Sequence, residues 1–127
     1  PDGRVLCGGG NTRTRDWEMF RPHYLTSGAA RPTIASAPER IVYGASFEIT
    51  CGPEEKAASA VLVRPGSLTH HFDFDQRVVP LATTMSAGGG FTATAPLNSA
   101  AAPSGWYMLF VLSPAGVPSL ASWVNLS

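Results

Sequence analysis

The sequence predicts an all-β fold, and three observations carry that prediction. Apolar residues come in short alternating or continuous runs instead of at helical spacing. Gly and Pro punctuate those runs roughly every 8–12 residues, the spacing of a sandwich. The 127 residues make about one domain, long enough to bury a modest core. Thirteen Gly and eleven Pro are an enrichment, yet short of the roughly 25–30% that marks disorder, and with 44% hydrophobic residues they suit a β protein with many turns.

Residues 4–7 read as a strand that ends in the triplet Gly8, Gly9, Gly10, for which a tight turn is the natural reading. After the polar stretch 11–16, residues 17–20 resume an extended pattern, so the first part resembles the remnant of a hairpin. Residues 21–32 hold Pro22, Gly28 and Pro32 without a clean period, which predicts a linker and a boundary dividing the chain into 1–25 and 26–127. Further strands are predicted at 33–36, 41–43, 46–51, 58–63, 69–74, 78–83, 91–95, 106–112 and 121–126. Seven or more short strands fit an Ig-like antiparallel β-sandwich. In 46–51, Phe47, Ile49 and Cys51 alternate with polar residues, which sets one face on a core and the other in solvent. Residues 106–112 are apolar throughout, as expected of a central strand covered on both faces. The segment Pro114 to Pro118 then supplies turn chemistry.

Nine Lys plus Arg balance nine Asp plus Glu, so there is no electrostatic footprint for nucleic acid or an anionic membrane. Charged residues are 14% of the chain, against ~25% in an average soluble domain, which implies that another domain covers part of the surface. No window approaches the ~18 apolar residues of a membrane span, and Pro1-Asp2-Gly3-Arg4 has neither an apolar signal core nor an initiator Met, as in a piece of a longer protein. Cys7 and Cys51 allow one pairing; a disulfide and two buried free thiols are both compatible with the sequence.

The densest candidate for chemistry runs from Thr69 to Arg77 and holds His70, His71, Asp73, Asp75 and Arg77. Adjacent histidines invite a metal, but on a strand successive side chains point to opposite faces, so at most one of them serves a given ion. A Ser67, His70, Asp73 grouping lacks the separated supports of a catalytic triad. The glycine triplet is no phosphate cradle, having no Lys-Ser/Thr and no following helix. Asp75 and Arg77 read as an ion pair or turn clamp. Asn125-Leu126-Ser127 matches a glycosylation sequon. Trp106, Tyr107, Phe110 and Trp123 read as sandwich core in preference to a sugar-stacking platform.

Several stretches together resemble the carboxyl-terminal part of the copper-radical oxidases, the galactose oxidase and glyoxal oxidase family. They are the segment Pro1 to Gly10, Phe20-Arg21-Pro22-His23-Tyr24-Leu25, Arg31-Pro32-Thr33-Ile34, Thr69-His70 with Asp75-Gln76-Arg77, and Trp106 to Val111 with Ala115-Gly116-Val117-Pro118-Ser119. The resemblance implies that 1–25 closes the last blade of a seven-bladed kelch propeller and that 26–127 is the Ig-like early set domain that follows it. In that family a loop or hairpin of the second domain enters the propeller channel and gives one imidazole to copper. The matching residue is His70; His71 matches a position that is not a ligand. The remaining ligands, two tyrosines and a histidine, and the cysteine of the Tyr-Cys radical cofactor would belong to the propeller, outside this chain. Cys7 does not match that cysteine, and Tyr24, Tyr43 and Tyr107 read as structural.

Copper(II) in an N/O site takes about four ligands, so one histidine alone implies weak, non-selective binding and no oxidase activity for this chain by itself. The implied parent oxidises primary alcohols or aldehydes while reducing O2 to H2O2, with Asp75, Gln76 and Arg77 bracing the ligand loop through hydrogen bonds. The implied partner is the preceding propeller, and the implied location is secreted or at the cell surface. Two other classes compete: a free-standing carbohydrate-binding or structural Ig-like module, which requires Trp106 or Trp123 to be exposed, and a degenerate relative that kept the scaffold and lost its copper.

Overall fold

The computed structural model describes residues 1–8, 16–53, 56–86 and 90–127. Along them run β1 (Val5–Gly8), β2 (Trp17–Phe20), a single helical turn α1 (His23–Thr26), β3 (Ile34–Ser36), β4 (Arg40–Ile41), β5 (Ser46–Cys51) and β6 (Ser59–Arg64). There follow β7 (Leu68–Thr69), β8 (Phe72–Asp73), β9 (Arg77–Pro80), β10 (Ala82–Met85), β11 (Phe91–Thr94), β12 (Gly105–Leu112) and β13 (Ser122–Leu126). The predicted all-β class is borne out. The turn expected at the glycine triplet falls largely outside the described residues, which stop at Gly8 on that side of the hairpin.

Two sheets form the sandwich, one in the order β10-β11-β5-β3 and the other β4-β13-β12-β6-β9. Neighbours are antiparallel except β13 and β4, which pair in parallel. Alternation decides what each strand buries. Ile49 and Cys51 of β5 and Phe91 and Ala93 of β11 meet Leu62 of β6, Tyr107, Leu109 and Val111 of β12, and Val124 and Leu126 of β13 in one core. Burying a large apolar side chain of this kind contributes on the order of 1.5–3 kcal/mol.

The same alternation corrects the aromatic cluster expected in the core. Tyr107 is fully buried, but Trp106 and Trp123 remain 48% and 45% exposed. Their cross-strand partners are Asn125 and Met108, so both indoles stand on the outer face of the five-stranded sheet. Phe110 also points outward, and it is buried there: with Pro1, Val5, Tyr24, Val61 and Met108 it lines a cavity of about 360 Å³ beneath the amino-terminal segment. Strand β12 is therefore covered on its outer side only in part. The outer face of the other sheet is polar, with the Glu48 carboxylate accepting bonds from the Thr92 and Ser86 hydroxyls at 2.6 and 3.1 Å.

Two predicted strands divide. The run expected at 78–83 becomes β9, paired with β6, and β10, paired with β11, so the chain crosses between sheets at the buried Leu81, whose N–H donates to the Ala60 carbonyl. Pro80, which has no N–H to offer a ladder, closes β9 at the sheet edge. The run expected at 69–74 becomes the hairpin β7–β8 with His70 and His71 in its turn. Both cysteines are free: Cys51 is buried and its thiol is pushed up by that burial, whereas Cys7 is exposed on β1, not buried as a pair of structural thiols would be.

Candidate functional site

The hairpin β7–β8 leaves β6 through Pro65-Gly66 and returns to β9 through Phe74-Asp75-Gln76. Every residue from Gly66 to Phe74 is exposed, three large apolar side chains among them: Leu68 at 72%, Phe72 at 67% and Phe74 at 71%. The Phe72 and Phe74 rings lie 6.1 Å apart, tilted by 45°. Thr69 pairs with Phe72, which leaves two residues in the turn, and His70 and His71 have φ of 51° and 66°. Positive φ at both central residues is the signature of a type I′ turn, the form whose twist matches flanking strands and which Asn-Gly usually fills. Placing a non-glycine residue in this left-handed region costs on the order of 1–2 kcal/mol. Two histidines held in it fit the pattern in which backbone strain collects at functional sites. They do not lie on an extended strand, so the expectation that they point to opposite faces of one is replaced by turn geometry.

The brace of this hairpin centres on a residue outside the predicted set. Asp73 Oδ1 accepts backbone N–H bonds from Ser67 at 2.9 Å, Gln76 at 3.1 Å and Asp75 at 3.2 Å, tying the two ends of the hairpin together. A Cβ at Gly66 would collide with this carboxylate as it is placed, so a larger residue there would have to displace the Asp73 side chain from its bonds. Asp75 pairs with Arg64 Nε at 3.4 Å and not with Arg77. Arg77 Nη1 donates to the Ala101 carbonyl at 3.2 Å. Gln76 takes part through its backbone N–H.

Below the hairpin, Arg64 reaches the segment 98–104. Its Nη1 donates to the Pro103 and Ser104 carbonyls, both at 3.1 Å, and its guanidinium lies 5.6 Å from the Tyr107 ring centroid. Hydrogen bonding to the Tyr107 hydroxyl and the charge of Asp75 raise the already high pKa of Arg64. Tyr107 and Tyr43 donate their hydroxyls to the Pro103 and Ala102 carbonyls at 2.7 and 2.8 Å, and Tyr24 donates to Gly3 at 3.0 Å. All three tyrosines thus tie down backbone. The segment itself is folded by Asn98, whose Oδ1 accepts from the Ala100 and Ala101 N–H groups. Asp75 and Arg77 accordingly anchor the base of the hairpin to the sandwich, and Asp73 shapes its stem. The Asp73 bonds follow the Asx-turn pattern, a signal present in Asp73-Phe74-Asp75-Gln76; nothing local to Arg64 announces contacts some 40 residues away.

Among the described residues no three His, Cys, Asp or Glu side chains cluster so as to hold a metal ion. His70 stands at the tip with its imidazole exposed, beside the equally exposed His71. The hairpin tip thus offers imidazole nitrogens but no three-residue metal cluster among the described residues.

Residues 31–126 match the model of the galactose oxidase-like early set domain. The chain belongs to that family. Arg31, where the early set match begins, fixes the domain's entry by donating Nε and Nη2 to the Pro118 and Ser119 carbonyls, both at 2.7 Å. The early set motif Ala115 to Ser119 is a turn with Gly116 at φ 77°, closed by the Ser119 hydroxyl accepting from the Val111 N–H. A galactose oxidase from Gibberella zeae is 36% identical over 137 residues, covering 100% of this chain and 20% of that protein. An aldehyde oxidase GLOX from Vitis pseudoreticulata is 33% identical over 148 residues, covering 99% and 28%. Among solved structures, a "Novel fungal alcohol oxidase with catalytic diversity among the AA5 family, in complex with copper" matches with a TM-score of 0.79 and 31% identity over 87% of this chain and 24% of its own. This early set domain therefore spans a small share of the curated relatives it matches, between 14% and 28% of their length. No helix among the described residues is long and apolar enough to cross a membrane.

Proposed function

We propose that this early set domain completes the copper site of a secreted or cell-surface copper-radical oxidase, with His70 as the ligand it contributes. The observation that carries the reading is the β7–β8 hairpin: a strained turn presents His70 on a stem whose Leu68, Phe72 and Phe74 are left bare. Apolar stems of this kind need a cover, and the interior of a propeller channel would supply it. On this reading residues 1–25 belong to the last propeller blade and its exit, and 26–127 to the module. The outer face of the five-stranded sheet, with Val61, Val63 and Phe110 already half covered by the amino-terminal segment, packs on the same propeller. Copper supplies one-electron chemistry in the parent, which would oxidise a primary alcohol or aldehyde and reduce O2 to H2O2. This chain's part is to hold one imidazole in place and to keep water from the stem; Asp73, Asp75 and Arg77, with the Gln76 N–H, keep the hairpin from swinging.

Copper(II) titration of the chain and two variants tests the assignment. His70→Ala should remove most of the weak affinity without unfolding the sandwich, since His70 is exposed, and His71→Ala should remove less. Equal losses for the two would sink it. Reading the parent frame upstream of Pro1 for a Tyr-His pair, with a cysteine and a second tyrosine much earlier, tests the remainder, and a parent lacking them is a degenerate relative.

The exposed Trp106 and Trp123 favour a second reading, a carbohydrate-binding module. Replacing each with Ala and measuring sugar affinity beside folding stability separates the two: a platform tryptophan loses binding, and a propeller-facing one loses neither in the isolated chain.

A further inference from the structure

We propose that Thr69 is a positioning residue for copper: its hydroxyl oxygen accepts the Nδ1–H of His70 and so leaves Nε2 bare as the ring nitrogen offered to the metal. The inference rests on the reading of His70 as a ligand. Its basis is a contact of 2.8 Å between Thr69 Oγ1 and His70 Nδ1. A neutral imidazole carries its proton on one nitrogen and presents a lone pair on the other, and the hydrogen bond made by one nitrogen sets which of them a metal can take. With a hydroxyl oxygen seated against Nδ1, a metal needing a ligand distance of roughly 2 Å has no room on that side. Only Nε2 is open. Were the hydroxyl to donate to Nδ1, the proton would sit on Nε2 and neither nitrogen could serve; with Nδ1–H donating, Nε2 is free and its basicity is raised by the bond.

The turn geometry explains why neighbouring residues can make this contact. On an extended strand the side chains of residues 69 and 70 would point to opposite faces. The positive φ of His70 breaks that alternation and brings the ring beside the hydroxyl, while the pairing of Thr69 with Phe72 holds the hydroxyl in register. A turn filled with Asn-Gly would be less strained and would have nothing to position. Thr69 thus gives the strained tip a purpose that bare exposure of a histidine would not require.

The tautomer can be read directly, without copper, from the imidazole nitrogen and proton correlations of His70 in this chain at a pH where the ring is neutral. We expect the proton on Nδ1 in the parent sequence and in Thr69→Ser, which keeps the oxygen, and on Nε2 in Thr69→Val, which keeps the shape and removes it. Copper(II) affinity should fall at least tenfold in Thr69→Val and be kept in Thr69→Ser. A proton on Nε2 in the parent sequence overturns the proposal with no variant needed, and so does a tautomer that Thr69→Val leaves unchanged. Should His70→Ala bind copper as the parent sequence does, the ligand reading fails while the tautomer result stands, so the two failures are told apart.

Discussion

Asp73 makes three backbone hydrogen bonds from one carboxylate oxygen, and these close the stem that Gly66 leaves room for. Asp73→Ala should cost the hairpin about 1–2 kcal/mol, less than a buried network would because the group is exposed. Amide exchange at Ser67, Asp75 and Gln76 should quicken while β12 and β13 stay protected, and uniform quickening would mean that the hairpin is no separate unit. The cysteines give a second test at this scale. Exposed Cys7 should react with a thiol reagent in the native state and buried Cys51 only on unfolding. Because burial raises the Cys51 pKa from its ordinary 9.0, its contribution is fully present below that pH and is lost as pH climbs through the higher folded value. The stability advantage of the chain over Cys51→Ala in thermal melts should therefore shrink as pH rises above 9, and an advantage that stays constant there would refute the shift.

At the scale of elements, alternation in β12 separates residues that share composition but not environment. Leu109 is fully buried against Leu62, whereas Trp106 stands half out of the opposite face. Leu109→Ala should cost about 2–5 kcal/mol and Trp106→Ala well under that, as read from urea midpoints. A period-two argument could have drawn this distinction, since the inward set Tyr107, Leu109 and Val111 follows from fixing any one member. Residue type hid it: a strand that is apolar on both sides carries no polar alternation to mark its outer face. The hairpin turn was hidden for a different reason. His-His carries none of the Asn-Gly chemistry by which type I′ turns are recognised, so 69–74 reads as one strand. The crossing at Leu81 is likewise a tertiary event, with Pro80 its one local hint.

The whole molecule has two unlike outer surfaces. The four-stranded sheet presents Glu48, Thr92 and Ser86 to solvent, and the five-stranded sheet presents Val78, Trp106 and Trp123. A free-standing sandwich would have little reason for the second face or for the bare stem of β7–β8. The proposed propeller contact would also account for the low share of charged residues. If a propeller covers this face as proposed, amides of residues 66–74 and of the outer face of β6 and β12 should be protected from exchange in the longer protein, and in this chain alone residues 66–74 should exchange rapidly. Equal protection in both would remove the propeller from the account.

By itself the sequence determined the all-β class, the alternation of β5, the turn at Pro114 to Pro118 and the family, because short-range periodicity and local motifs carry those. Only the tertiary structure decided that His70 and His71 occupy a strained turn, that Asp73 and Arg64 hold the hairpin, and that two tryptophans face outward. Those outcomes depend on which strands become neighbours. A side chain's face, and a carbonyl some 40 residues from the arginine that binds it, are set by pairing register, which no local pattern in a doubly apolar strand encodes.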